Sequence, residues 1–256
     1  MKLATYNMLN GGSAGHWSKI LEATQADLLF AQETRDPAKF LQQTLEPLDL
    51  TNAVWEPAPH GRWGSAVFAK AAVVKPVSVP GFEGLVVGGS LTLGSAETFV
   101  FSIHLPQRKA SDEASASAQA AGATAYVVAA NHLLDSLGPI VSGAPLVLGG
   151  DWNLTIGHRH ADEEMQNRPG EVELLDRLGQ EFGVVSSWPT FNAGLPLAQT
   201  LRWVADRIPA FHCDGIFVPA PWAKAIRSAE VLTGEDWTKI SDHNPVVVDL
   251  DEAAFV

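Results

Sequence analysis

Short apolar or alternating runs bounded by Gly, Pro, Asp or Asn recur along the chain: Lys2 to Met8, Asp27 to Gln32, Gly64 to Lys70, Leu85 to Leu93, Thr98 to His104, Pro145 to Gly149, His212 to Val218 and Pro245 to Leu250. Their enrichment in Val, Ile, Leu and Phe predicts strands. Helical patterns are fewer. Ser18 to Thr24 is short, and Pro37 to Leu45 opens with Asp36 as a cap and a proline at the first helical position. The longest predicted helix runs from Asp112 to Leu137, with acids in its first turn, a Gly138-Pro139 stop, and Tyr126, Ala130, Leu133 and Leu137 on one face for packing. A further helix is expected over Glu171 to Phe182. Many strands, few helices and hairpin-like spacing in the first half point to a layered α/β fold with mixed or mostly antiparallel sheets.

Composition narrows the setting. The 256 residues, 46% of them hydrophobic, suffice for a large core. We find no repeat and no long linker, and expect one domain over residues 1–256. The lone Cys213 excludes an intramolecular disulfide and reads as a small buried strand residue, with no activating base at a recognisable spacing. The start, MKLATYNMLNGG, has no apolar segment of the signal-peptide kind, so a cytoplasmic location is expected. The uncharged stretch from Ala114 to Leu134 is too polar in its first half to span a membrane. A net charge of -12 repels polyphosphate at long range and disfavours nucleic acid as a partner, unless a basic patch or bound metal reverses the field at one cleft.

Polar residues then gather at the ends of the predicted strands. Asn7 ends the first, Glu33 the second, and His104 ends "FVFSIHLPQ"; Asp151 and Asn153 follow "LVLGG", Asp214 lies in "HCDGIFV", and Asp242-His243 precede the last strand in "SDHNPVVVDL". Each has a bland reading: a turn former, a surface ion pair with Arg35, a loop cap. Strand ends at one edge of a sheet converge, however, and together these groups would form one polar cluster. Hard carboxylate oxygens suit Mg²⁺, while the lack of further cysteines and of an HExxH pair argues against a thiolate zinc site or a zincin.

In order and spelling the pieces "TYNMLNGG", "QETRD", "GSAVFAK", "FSIHLPQ", "GGDWNLT", "HCDGIFV" and "SDHNPVVVDL", from residue 5 to residue 250, resemble the endonuclease/exonuclease/phosphatase superfamily of metal-dependent phosphoesterases. The resemblance implies a DNase I-like four-layer α/β/β/α sandwich of two mixed sheets, with the active site at one end. It implies Asn7, Glu33 and Asp242 as metal-site residues, with Mg²⁺ or Mn²⁺ as the cofactor. It further implies Asp151 as the group that positions or deprotonates the attacking water, Asn153 as its orienting partner, His243 and His104 as phosphate-facing histidines, and Asp214 as the carboxylate behind His243. These roles make chemical sense, because a metal and protonated histidines neutralise the shielding oxygens of a phosphoester and a carboxylate can take a proton from water. On this reading the glycines before Asp151 form a corner that turns Asp151 and Asn153 toward one phosphorus, with Trp152 between them facing the core.

The sequence departs from the pattern in places. Leu9 stands where many relatives have an acid, which disfavours a second metal, and His212 and Gly215 flank Asp214 where Arg and Tyr or His are common. The stretch containing His158, Arg159, His160 and Arg168 reads as a solvated loop or a substrate loop. The expected function is hydrolysis of a phosphodiester or phosphomonoester of unspecified identity, without an obligate protein partner. A DNA-processing or abasic-site nuclease is the second reading, and a non-catalytic phospholigand-binding relative the third. A calcineurin-like metallophosphatase would need a GNHE-type motif that the chain lacks.

Overall fold

The structure is a computed structural model that describes residues 1–40, 52–59, 61–105, 125–161, 163, 166–202 and 211–255. The chain order is β1 (Lys2–Asn7), α1 (Ala14–Thr24), β2 (Leu28–Thr34), α2 (Pro37–Phe40), β3 (Ala53–Pro57), β4 (Gly64–Ala69), β5 (Lys75–Pro76), β6 (Val86–Leu93) and β7 (Ala96–His104). There follow α3 (Ala125–Val141), β8 (Leu146–Asp151), α4 (Pro169–Phe182), β9 (Val184–Ser186), α5 (Ser187–Phe191), β10 (Asp214–Pro219), β11 (Ile226–Val231), α6 (Glu235–Thr238) and β12 (Val246–Leu250).

The strands form two six-stranded sheets, ordered β11-β12-β1-β2-β4-β3 and β5-β6-β7-β8-β10-β9. Each has a central parallel pair, β1 with β2 and β7 with β8, flanked by antiparallel neighbours. Side chains alternate between the faces of a strand. In β1, Leu3 packs between the sheets, whereas Ala4 and Tyr6 join Trp17 and Ile20 of α1 on the outer face. In β8, Val147 packs between the sheets, whereas Leu146 and Leu148 join Leu133 and Leu137 of α3 and Leu174 and Leu178 of α4. Three apolar layers therefore separate four layers of structure, the α/β/β/α sandwich expected from the sequence.

Several local expectations change. The helix predicted over 112–137 occupies Ala125–Val141; its first half falls outside the described residues, and it runs through Gly138-Pro139 instead of stopping there. Pro139 forfeits only the bond to the carbonyl of Asp135, one turn back, and both residues are exposed, so water can satisfy that group. Tyr126, Ala130, Leu133 and Leu137 do pack on the sheet as the stripe predicted. Helix α1 starts four residues earlier than Ser18, because the His16 ring accepts from the Ser13 N–H at 2.9 Å and closes the first turn. In α2, Asp36 accepts from the Ala38 N–H at 3.0 Å, as a cap should; residues 41–45 of that prediction lie outside the described residues.

The expected glycine corner is not a corner. Gly149 and Gly150 lie inside β8, and they are glycines because neighbours leave no room for more. A Cβ on Gly149 would sit 2.3 Å from the Phe30 ring of the opposite sheet, and one on Gly150 would sit 2.0 Å from the Ile103 carbonyl oxygen. The turn itself is made by Asn153, whose φ is +53°.

Candidate active site

Strand alternation determines which residues reach the site. Leu3, Thr5 and Asn7 share the inter-sheet face of β1; Val100, Ser102 and His104 share that of β7; Val147, Gly149 and Asp151 that of β8; and Asp214, Ile216 and Val218 that of β10. Asn7, His104 and Asp151 thus stand at the carboxyl ends of parallel strands, and Asp214 at the start of an antiparallel one. The register places His104 opposite Asp151 and Asp151 opposite Asp214, giving one row across the sheet edge.

Glu33 breaks the alternation. Gln32 takes the inward place on β2 and donates to Ser102 Oγ at 2.9 Å and Thr5 Oγ1 at 3.2 Å, tying the two sheets together below the site. The β2–β4 register then slips between Ala31 and Thr34, and Glu33 adopts φ +50°. This bulge re-aims a side chain that regular pleating would have turned outward. Its carboxylate accepts from Asn7 Nδ2 at 3.2 Å and from the Asn10 N–H at 2.6 Å.

Asp151 lies at the centre, 1% exposed. It accepts from Asn7 Nδ2 at 3.1 Å and from the Asn153 N–H at 2.9 Å, while the Asn153 amide donates to the Leu105 carbonyl at 3.1 Å. Two imidazoles face its Oδ2, His243 Nε2 at 3.8 Å and His104 Nε2 at 4.0 Å. His104 Nε2 is also 3.7 Å from Glu33 Oε1, and its ring packs against Trp63 with centroids 5.2 Å apart. His243 Nδ1 is 2.9 and 3.0 Å from the two oxygens of fully buried Asp214. Ser241 holds this corner: its Oγ donates to the Asn7 carbonyl at 2.8 Å and accepts the His243 N–H at 3.0 Å.

Burial opposes a charge on His243, but the carboxylates of Asp214, Asp151 and Asp242 outweigh it and push its pKa up to about 10. Burial and the neighbouring Asp214 push the Asp151 carboxyl up, against the opposing pull of His243, His104 and the Asn153 N–H. A carboxylate whose pKa is raised, beside a charged imidazole, suits proton transfer.

All eight residues singled out in the sequence are gathered at this end. Asn7 presents its amide nitrogen to both Glu33 and Asp151 and its oxygen to the Leu9 N–H at 3.0 Å, so it spaces the two carboxylates. Asp242 is half-exposed on its corner, yet its Oδ1 is buried with no hydrogen-bond partner among the described residues, 3.8 Å from His243 Nε2. A carboxylate oxygen withdrawn from water without a donor fits a cation. Asp151, Cys213, Asp214 and His243 also offer ligand atoms within 4.8 Å of one another. Burial and the adjacent Asp214 and Asp151 push the Cys213 thiol well up, and its Sγ donates to Asp214 at 3.4 Å, so Cys213, Asp214 and His243 form a hydrogen-bonded relay beside Asp151.

The sequence reading passed over Gln32, Trp63, Thr200, Arg202 and Ser241. Gln32 opens "QETRD", Ser241 opens "SDHNPVVVDL", and Trp63 immediately precedes "GSAVFAK". The stretch after Asn153 is more structured than a solvated loop: Arg159 is buried in an ion pair with Glu163 at 2.9 Å, and the His160 ring meets the Leu195 carbonyl at 3.1 Å.

The sequence pattern of the Endonuclease/Exonuclease/phosphatase family matches residues 4–243. The chain belongs to this family. No curated protein sequence matches significantly. Among solved structures, an AP endonuclease from Archaeoglobus fulgidus superposes with a TM-score of 0.67 at 18% identity, covering 98% of this chain and 99% of that one. A variant of the 3' phosphatase NExo from Neisseria, bound to product DNA hairpin, gives 0.69 at 15% identity, covering 98% and 99%. AP endonuclease LMAP from Leishmania major gives 0.65 at 16%, covering 96% and 86%. At these identities the likeness establishes the DNase I-like sandwich shared with family members. Among the described residues no helix is long and apolar enough to cross a membrane.

Proposed function

We propose that the protein hydrolyses a phosphoester with a divalent metal, Mg²⁺ or Mn²⁺, at the cluster centred on Asp151. The observation that carries this reading is Asp151 itself: a buried carboxylate held by Asn7 and Asn153, faced by two imidazole nitrogens, and raised in pKa. Glu33 and Asp242, with the oxygen of Asn7 if its amide turns, would hold the metal. When bound, the metal supplies charge neutralisation at the phosphate and at the departing oxygen.

The chain's own groups supply the rest. Asp151 accepts the proton of the attacking water, and Asn153 keeps the carboxylate oriented. His243 donates to a nonbridging oxygen, with Asp214 fixing its ring, and His104 offers a second donor from the opposite side. The loss of activity expected of a non-catalytic relative has no counterpart in missing residues here.

A nuclease variant of this reading is favoured by one observation. Trp63, half-buried, packs on His104 at the rim, and Arg35 and Arg62 are exposed in the same segment pair. A Cβ on Gly11 would lie 3.3 Å from Arg35 Nε and 3.7 Å from Trp63 Cβ, so both side chains border that glycine. An aromatic face with arginines beside a phosphate site suits a nucleotide despite the net charge of -12.

Nicking of supercoiled plasmid at low salt in Mg²⁺, with Asp151→Asn purified in parallel, tests the proposal together with hydrolysis of small phosphodiesters. Nicking by wild type alone establishes a nuclease. Turnover of small esters without nicking retains the hydrolase and removes the nuclease variant, and inactivity on every ester with metal present contradicts both. For a nuclease, Trp63→Ala should lower kcat/KM on nucleotide esters about tenfold while leaving methyl p-nitrophenyl phosphate within twofold, read from released nitrophenol.

A further inference from the structure

Residues 199–202 form a strap across the two sheets at the relay. On the side of β10, Thr200 Oγ1 accepts the N–H groups of both Cys213 and Asp214 at 3.0 Å. On the side of β12, the Thr200 carbonyl accepts the Asn244 N–H at 2.7 Å, the Gln199 carbonyl accepts Asn244 Nδ2 at 3.0 Å, and Leu201 bridges His243. The strap thereby joins Asp214, in one sheet, to Asp242-His243, at the edge of the other.

Arg202 is its outer fastening. Its N–H donates to the Asp242 carbonyl at 2.8 Å. One guanidinium nitrogen donates to the Ser241 carbonyl and the other to Asn244 Oδ1. A single rigid fork therefore grips the residues on both sides of Asp242-His243. Lysine could not reproduce this, because its point charge lacks two parallel donors in fixed geometry. Among the described residues its hydrogen bonds go to backbone carbonyls and to an amide, and it acts on the Asp242 carboxylate only through its charge.

We propose that Arg202 is a positioning residue: by clamping Ser241 and Asn244 in one fork it fixes Asp242 for cation binding, and so supports turnover without contacting the scissile phosphate. This rests on the reading of Asp242 as a metal carboxylate given above. Outer groups that orient metal ligands typically contribute 10- to 100-fold in affinity, which sets the size of the effect sought.

The test compares wild type, Arg202→Lys and Arg202→Met, with Arg202→Ala for chemical rescue, each checked for folding by thermal unfolding without metal. Mn²⁺ affinity is read from the electron paramagnetic resonance signal of free Mn²⁺, which needs no turnover. Steady-state kinetics on bis(p-nitrophenyl) phosphate give kcat and KM separately. Both variants are expected to bind Mn²⁺ about tenfold more weakly, with kcat falling in parallel and KM within twofold of wild type. Methylguanidinium should restore part of the Mn²⁺ affinity to Arg202→Ala.

Unchanged Mn²⁺ affinity in a folded variant overturns the proposal, as does a lysine variant equal to wild type. A raised KM with unchanged kcat also overturns it, since Arg202 would then be a substrate contact. A wild type that binds no Mn²⁺ does the same. If wild type binds Mn²⁺ but hydrolyses no ester, and the variants bind the ion more weakly, the phosphoesterase reading has failed while the positioning role stands.

Discussion

Asp151 is pulled two ways, by burial and Asp214 toward neutrality and by two imidazoles and the Asn153 N–H toward charge. A residue retained for its charge in such a place is not retained for stability. Asp151→Asn should therefore keep the thermal midpoint or raise it, because an amide of the same shape removes a buried charge. Turnover should fall about 10³-fold, the range of a lost general base. Paired calorimetry and kinetics check both statements, and a lowered midpoint would mean that the carboxylate is chiefly structural. Positive φ at Glu33 and Asn153 belongs to the same pattern, since backbone strain of about 1–3 kcal/mol per residue persists where the surroundings over-determine it. The identities of these residues were legible in the sequence because short motifs place polar groups after apolar runs. Their strain was not, because it arises from a slipped register and a turn that no local pattern announces.

At the scale of elements, the strands missed in the sequence are the outermost ones. β3, β5, β9 and β11 are the four sheet edges, whereas all eight strands read from hydrophobic pattern are interior. Edge strands are free to carry Pro, Lys, Arg or Glu, as in "KP" and "IRSAEV", and the three residues of β9 are too few for a run, so none shows the apolar pattern that identifies an interior strand. Helix α3 was misplaced at its C-terminus for a related reason: a proline stops a helix when its lost bond is buried, and here it is exposed. Gly149 shows sheet-to-sheet contact overriding local reading, since the neighbour that requires it, Phe30, lies 119 positions away by number (149 − 30). Gly149→Ala should destabilise by about 1–3 kcal/mol through overpacking. Phe30→Leu should recover part of that loss in the double variant, measured as a coupling in denaturant unfolding; strictly additive effects would contradict the contact.

At the scale of the whole molecule, two sheets with matching central parallel pairs bring their strand ends to a common rim, and this makes one site out of residues from 7 to 243. The folded state also carries a pH dependence at a group that the chemistry does not use. His212 is fully buried, its Nδ1 meets the Ala198 carbonyl at 2.8 Å, and Nε2 has no partner among the described residues. Burial pushes its pKa down to about 4, with the Arg159 charge adding to the fall and the Ala198 carbonyl and Asp214 opposing it. The unfolded chain, near 6.5, binds a proton more readily than the folded one. Stability is therefore fully present above about pH 6.5 and is lost as the pH falls toward 4, by roughly 3 kcal/mol at 1.36 kcal/mol per unit. Urea unfolding from pH 7 to 4 should show this limb in wild type and a shallower one in His212→Gln; identical slopes would contradict it.

The central claim is that a metal and Asp151 act on one phosphoester. The most direct measurement is the rate of nitrophenol release from bis(p-nitrophenyl) phosphate by wild type and Asp151→Asn, each after EDTA treatment and again after Mg²⁺ or Mn²⁺ is restored. The expected result is turnover only in wild type with metal present. Turnover that survives EDTA, or a folded Asp151→Asn protein within tenfold of wild type, would contradict the claim.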